Sequence, residues 1–248
     1  MMMKRFFASL LIMCCALSYG APVFAQVAKK IPADKQRAAQ WQPAKGQYYF
    51  SHSLVYDYEN KADQTKGTIT IYLDPVSGGM CFKKENSFGK GGKDFDFVIG
   101  FPDGKYIFCG ADENGKKMRI NEAVGALKLG PDTKAQARED FSTYWAATGN
   151  KRDDFGFESL EYNVSFATSE NKDTVWLAKT PFNVYPLYGL EFVESAVAMP
   201  ISFDYMHLLE PNQLVAEINS KDTILKLKSF GRDPQTVSTK GYPVFKTE

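Results

Sequence analysis

Residues 46–60 read GQYYFSHSLVYDYEN, with Tyr48, Phe50, His52, Leu54, Tyr56 and Tyr58 at the even positions. Side chains of an extended chain point alternately to opposite faces, whereas those of a helix return every third or fourth residue. Large apolar groups at every second place therefore predict a long strand with one apolar face. Shorter apolar or β-branched segments follow, namely GTITIYL (67–73), MCFK (80–83), DFDFVIG (94–100), KYIFC (105–109) and KKMRI (116–120). Between them lie Asp74–Gly79, Pro102-Asp103-Gly104 and Asn114-Gly115, all turn chemistry. Consecutive strands on short turns predict an antiparallel meander. Pro131-Asp132-Thr133 can start a helix, which Ala137, Phe141, Tyr144, Trp145 and Thr148 continue at helical spacing and Gly149 can end. Strands are expected again over 158–166, 173–179, 213–219 and 223–230, with a short one near Tyr242–Phe245, while 184–199 suits helix and strand equally. The expectation is one mostly β domain over 45–248: a curved antiparallel, half-barrel-like sheet with one or two short helices.

The chain opens with a basic Lys4-Arg5 pair, an apolar run from Phe6 to Leu17, and Val23-Phe24-Ala25. This three-part layout predicts a signal peptide over 1–25, cleaved after Ala25, and an exported product, periplasmic or secreted. The apolar run is shorter than the roughly 20 residues a membrane span requires. Cys14-Cys15 raises lipid modification as an alternative, but Met13 stands where a small residue is usual, and the untethered product is preferred. Residues 26–44, polar and carrying two prolines, read as a flexible lead-in whose Trp41 can dock onto the domain.

Charge removes one class of function. Lys and Arg number 30 against 29 Asp and Glu, and two of the cations lie in the leader. Such a balance offers no basic excess for a phosphate backbone, so nucleic acid is not an expected partner. Beyond the leader the cysteines are Cys81 and Cys109. An oxidising compartment favours a disulfide, but a meander puts these residues on strands with one neighbour between them. That separation is about 9–10 Å, against the roughly 7 Å between Cα atoms that a disulfide tolerates. Free buried thiols are expected.

Catalytic patterns are missing. His52 and His207 are the only histidines, with no ligand partners at metal spacing, so no metal or cofactor is expected. No G-x-S-x-G elbow is present. The Gly89–Lys93 loop lacks the hydroxyl residue of a phosphate-binding loop, because Asp94 follows the lysine. Asp94 and Asp96 face no second carboxylate cluster, and Asp112–Gly115 reads as a hairpin turn rather than a calcium loop. Asn163-Val164-Ser165 matches a glycosylation triplet inside a strand and carries no weight. The chain is read as a non-enzyme.

The exported start, the opening strand, GTITIYLDP, TVWLAK and the terminal GYPVF together resemble the periplasmic half-barrel proteins related to the lipoprotein carriers LolA and LolB, and their uncharacterised envelope relatives most of all. The resemblance implies a curved sheet around helices or loops, a hollow that in some members shelters lipid chains, and no particular activity. Aromatic residues make up 14% of the chain. They either fill a core or line a cavity, and periodicity does not separate the two. On the cavity reading Phe50, Tyr56, Phe97, Phe108 and Trp176 bind a lipid or acyl ligand. On the alternative, the core is filled and the chain is a structural or interaction protein with an envelope protein partner.

Overall fold

The computed structural model describes residues 31, 34–88, 95–124, 131–165, 173–193, 199–203, 206 and 209–245. The leader, the Gly89–Lys93 loop with Asp94, and His207 lie outside these residues. Eleven strands form one antiparallel sheet, curved and unclosed: β1 (Gln47–Asn60), β2 (Thr65–Asp74), β3 (Gly79–Lys83), β4 (Phe95–Gly100), β5 (Lys105–Ala111), β6 (Lys117–Ala123), β7 (Trp145–Asp154), β8 (Phe157–Val164), β9 (Asp173–Lys179), β10 (Gln213–Asn219) and β11 (Thr223–Ser238). Among the described residues four α-helices accompany them, α1 (Lys35–Gln40), α2 (Lys84–Ser87), α3 (Pro131–Tyr144) and α4 (Tyr185–Gly189). None is long and apolar enough to cross a membrane.

The strand order is β6-β5-β4-β3-β2-β1-β11-β10-β9-β8-β7. The chain starts in the middle of the sheet and steps outward to β6. It then passes through α3 to the opposite edge and steps back inward to β11. β1, with the longest alternation, pairs with β2 on one side and with β11 on the other.

The expectation of a single apolar face on β1 needs correction. Tyr48 and Phe50 pack in one cluster with Tyr72, Cys81, Phe97, Ile99, Cys109 and Val237. Leu54 and Tyr56, of the same parity, pack in another with Ile69, Ile71, Phe82 and Phe108. The change falls where the β1–β11 register shifts between Phe50 and His52, and Asp233-Pro234 stands opposite the single residue Ser51. A bulge re-aims a strand and accepts a residue without an N–H. Pro234 therefore sits inside β11, which runs on past Phe230, the end that the sequence suggests. The helix, by contrast, ends earlier than its spacing suggests. Trp145 and Thr148 belong to β7, where Gly149, at φ 86°, sits in the register shift between Ala147 and Lys151.

The larger cluster holds residues of both halves of the sheet, so it occupies the inside of the curve. The connection from β9 to β10 fills that space with Phe182, Val184, Leu187, Tyr188, Leu190, Ile201 and Phe203, all buried. Buried tyrosines tie this plug in place. Tyr106 donates to Pro186 O (2.9 Å), and Tyr188 donates to Gln213 O (2.7 Å) and accepts from Val215 N (3.0 Å), while Tyr56 of β1 donates to Val215 O of β10 (2.8 Å) beside it. Gly189 leaves room for the first of these rings, since a Cβ there would stand 2.5 Å from the Tyr106 hydroxyl.

The lead-in is structured from Asp34 onward. Asp34 caps α1 by accepting from Gln36 N (2.9 Å), and its carboxylate meets the Tyr49 hydroxyl (2.7 Å) and Arg232 (2.8 Å). Arg37 grips the fully buried carboxylate of Asp74 through Nε and Nη2 at 2.7–2.9 Å. Asp74 also accepts from Ser77 Oγ (2.6 Å) and so holds the β2–β3 turn. Removing one partner of such a buried pair costs about 3–5 kcal/mol. Asp74→Ala is expected to lower stability by roughly 3 kcal/mol, measured by denaturant unfolding; a loss under about 0.5 kcal/mol, the scale of a surface substitution, would show that α1 and the turn do not depend on this contact.

Candidate functional site

The five aromatic residues that the sequence suggests as ligand contacts do not gather in one place. Phe50 and Phe97 belong to the smaller cluster, at 0% and 8% exposure, whereas Tyr56 and Phe108, both at 0%, belong to the larger. Trp176 is half-buried at the margin of the larger cluster, its ring covered by the Arg152 guanidinium at 4.2 Å. That arginine is held in turn by Asp154 (2.8 Å) and Glu217 (2.7 Å). Four of the five are thus packing residues, and the fifth is capped by a cation.

The remaining candidates have structural partners. His52 Nδ1 lies 2.8 Å from Ser51 Oγ, and the ring stacks on Phe230 with centroids 5.2 Å apart. Burial, helped by nearby Arg232, lowers its pKa below the ordinary 6.5. Cys81 and Cys109 are free and buried. Burial pushes both thiols up, that of Cys109 to about 12. Asp96 accepts from the Tyr242 hydroxyl (2.6 Å), and Asp112 accepts from Asn114 N and Lys116 N, as a hairpin turn requires. Among the described residues no group of three His, Cys, Asp or Glu could hold a metal ion.

A cleft of about 800 Å³ opens on the side of the smaller cluster. Its wall combines Pro43, Tyr48, Phe101, Pro102, Tyr106 and Ile107 with Asp103, Lys105, Arg119, Asn121 and Glu122. Six pieces of chain build it: β1 with Tyr48, the β2–β3 turn with Ser77, the 101–104 turn, β5, β6, and Pro43, which follows the pinned α1. Tyr48 is fixed by Trp41 (5.6 Å, edge-on) and Phe101 (5.9 Å), so the docked tryptophan sets the position of a cleft residue. Burial raises the Tyr48 phenol pKa while Arg119 opposes the rise. The main chain of Arg119 donates to Pro243 O and accepts from Phe245 N, each at 2.8 Å, and its Nη1 donates to Thr239 Oγ1 (3.1 Å). Its Nε is buried without a hydrogen-bond partner. A smaller pocket of about 220 Å³ lies across the sheet beside Glu158, Tyr162, Lys179 and Gln213.

None of the five expected residues lines either cleft. The larger one was hidden in sequence because its residues carry ordinary signals: Pro102–Gly104 reads only as a turn, and Arg119 only as a strand cation.

No known protein family matches the sequence, and no curated protein matches it. Among solved structures, "Structure of PNGF-II in C2 space group" is similar at a TM-score of 0.42 with 10% identity, over 80% of this chain and 31% of that one. The chain thus spans under a third of that structure's length, and so slight a likeness carries no argument about fold or chemistry.

Two expectations follow from the buried groups. At pH 8 Cys81 and Cys109 should resist alkylation in the native protein and react on denaturation, as read by peptide mass spectrometry. Rapid native labelling of either would show that the smaller cluster opens. Because folding depresses the His52 pKa, its contribution to stability is full above about pH 6.5 and is lost as pH falls below that value. The melting temperature should drop more between pH 7 and 5 in wild type than in His52→Gln; equal drops would assign the acid sensitivity elsewhere.

Proposed function

We propose that this is an exported, non-enzymatic envelope protein that binds an apolar ligand, a lipid or acyl chain, in the cleft formed by β5, β6 and the 101–104 turn. The observation that carries this reading is the wall of that cleft, with Tyr48, Phe101, Pro102 and Ile107 around a space of about 800 Å³. Ligand sites typically measure about 300–1,000 Å³ and are mainly apolar with a few placed polar groups. The inside of the curve, where the resemblance to carrier proteins would put the ligand, is filled by Phe182, Val184, Leu187, Tyr188, Leu190, Ile201 and Phe203. The ligand is therefore assigned to the other face.

A second reading, an interaction protein with an envelope partner, is favoured by β7. This strand ends the sheet, and Ala146–Lys151 is exposed throughout. A bare edge offers a row of backbone donors and acceptors to an added strand.

Native mass spectrometry of protein purified without detergent separates the readings. A discrete added mass that extracts as a lipid is expected in wild type, and its loss is expected in Ile107→Glu, with circular dichroism to check that the variant is folded. A clean apo mass after incubation with mixed lipids would overturn the ligand reading. Slowed amide exchange over 145–154 on adding an envelope extract would support the partner reading instead.

A further inference from the structure

We infer that Arg119 recognises an acid group, so that the ligand class is an amphiphile bearing one carboxylate at the end of an apolar body. The inference rests on the cleft being the ligand site. Three other arginines are held against the sheet, and each has a carboxylate: Arg37 has Asp74, Arg152 has Asp154 and Glu217, and Arg232 has Asp34. Among the described residues Arg119 has none. Its protein partner is the neutral Thr239 hydroxyl, and its Nε is buried and unbonded beside the cleft. A guanidinium is charged at every accessible pH and carries five donors suited to a planar carboxylate. Buried donors in folded proteins almost always find acceptors, and Arg119 lines the cleft with one donor unmet, so its guanidinium is suited to a ligand oxygen.

The surroundings fix the kind of acid. Asp96, which acts on Cys109 together with Arg119, is taken by the Tyr242 hydroxyl. Lys105 is paired with Asp103, so it adds no net charge to the cleft. Glu122 also lines the cleft but is engaged with a partner of its own, and Asn121, two positions from Arg119 along β6, shares the Arg119 face. One uncompensated cation with a neutral amide beside it suits a monoanion. A phosphate dianion would meet only half the charge it needs. The segment Thr239–Phe245 holds the main chain of Arg119 through Pro243 and Phe245 and its Nη1 through Thr239 Oγ1.

Calorimetric titration of the purified protein with dodecanoate and with dodecanol tests the inference, because the two differ only in the head group. Wild type is expected to bind the acid at least about tenfold more tightly, the scale of a charge-assisted hydrogen bond. In Arg119→Met that preference should vanish while alcohol binding persists, and Arg119→Lys should keep only part of it. Circular dichroism checks that each variant is folded, and the wild-type comparison stands without the variants. Equal affinity for acid and alcohol in wild type, or an acid preference that survives in Arg119→Met, would overturn the role of Arg119 and leave the apolar cleft intact. Binding of neither probe would overturn the ligand site itself, and this inference with it.

Discussion

The pairing of β1 with β11 is the contact on which the rest of the sheet depends. One wing, β2 to β6, is attached through β1, and the other, β10 to β7, through β11. The seam runs from Gln47 opposite Ser238 to Asn60 opposite Thr223, so it joins the two ends of the domain. Its irregularity at Phe50–His52 lets one strand serve two cores. Below the shift it supplies Tyr48 and Phe50 to one side of the sheet, and above it Leu54 and Tyr56 to the other. Both faces of the sheet's middle are therefore dry, which fits a strand that carries large apolar groups along nearly its whole length.

Much of this architecture was readable. Alternation located β1 and β4, apolar or β-branched runs between turns located β2, β3 and β5, and β9 and β10 were read at their observed bounds. The errors arose where a local signal has two uses. Gly149 reads as a helix stop but serves the β7 bulge, and the glycine and proline of Gly231–Pro234 suit a strand end but lie within β11. Residues 184–199 suited helix and strand equally because they answer to a different constraint. Val184, Leu187, Tyr188, Leu190 and Met199 pack against the inside of a curved sheet, a surface made by strands distant in sequence.

The site was less legible than the fold. Large aromatic residues in strands announce burial, and Phe50, Tyr56, Phe97 and Phe108 are indeed buried. Whether buried rings touch one another or a guest depends on what the chain places opposite them. Here it places Phe182, Tyr188 and Phe203 opposite the inner set. The cleft arises instead where segments far apart in sequence meet without filling the space between them. Pro43, Phe101, Ile107 and Arg119 share no spacing that would mark them in advance. The orphan Nε of Arg119 becomes visible only when the bonds of its neighbours have been accounted for.

The two edges of the sheet are treated differently. At β6 the terminal segment pairs with the strand through a short parallel bridge between Arg119 and Val244. At β7 no strand lies alongside among the described residues. Open sheets with two bare edges can add neighbours indefinitely and so form fibres. A sheet with one edge blocked has a single site for growth, and joining two such sites consumes both. Association through the β7 edge alone would join two chains and stop there.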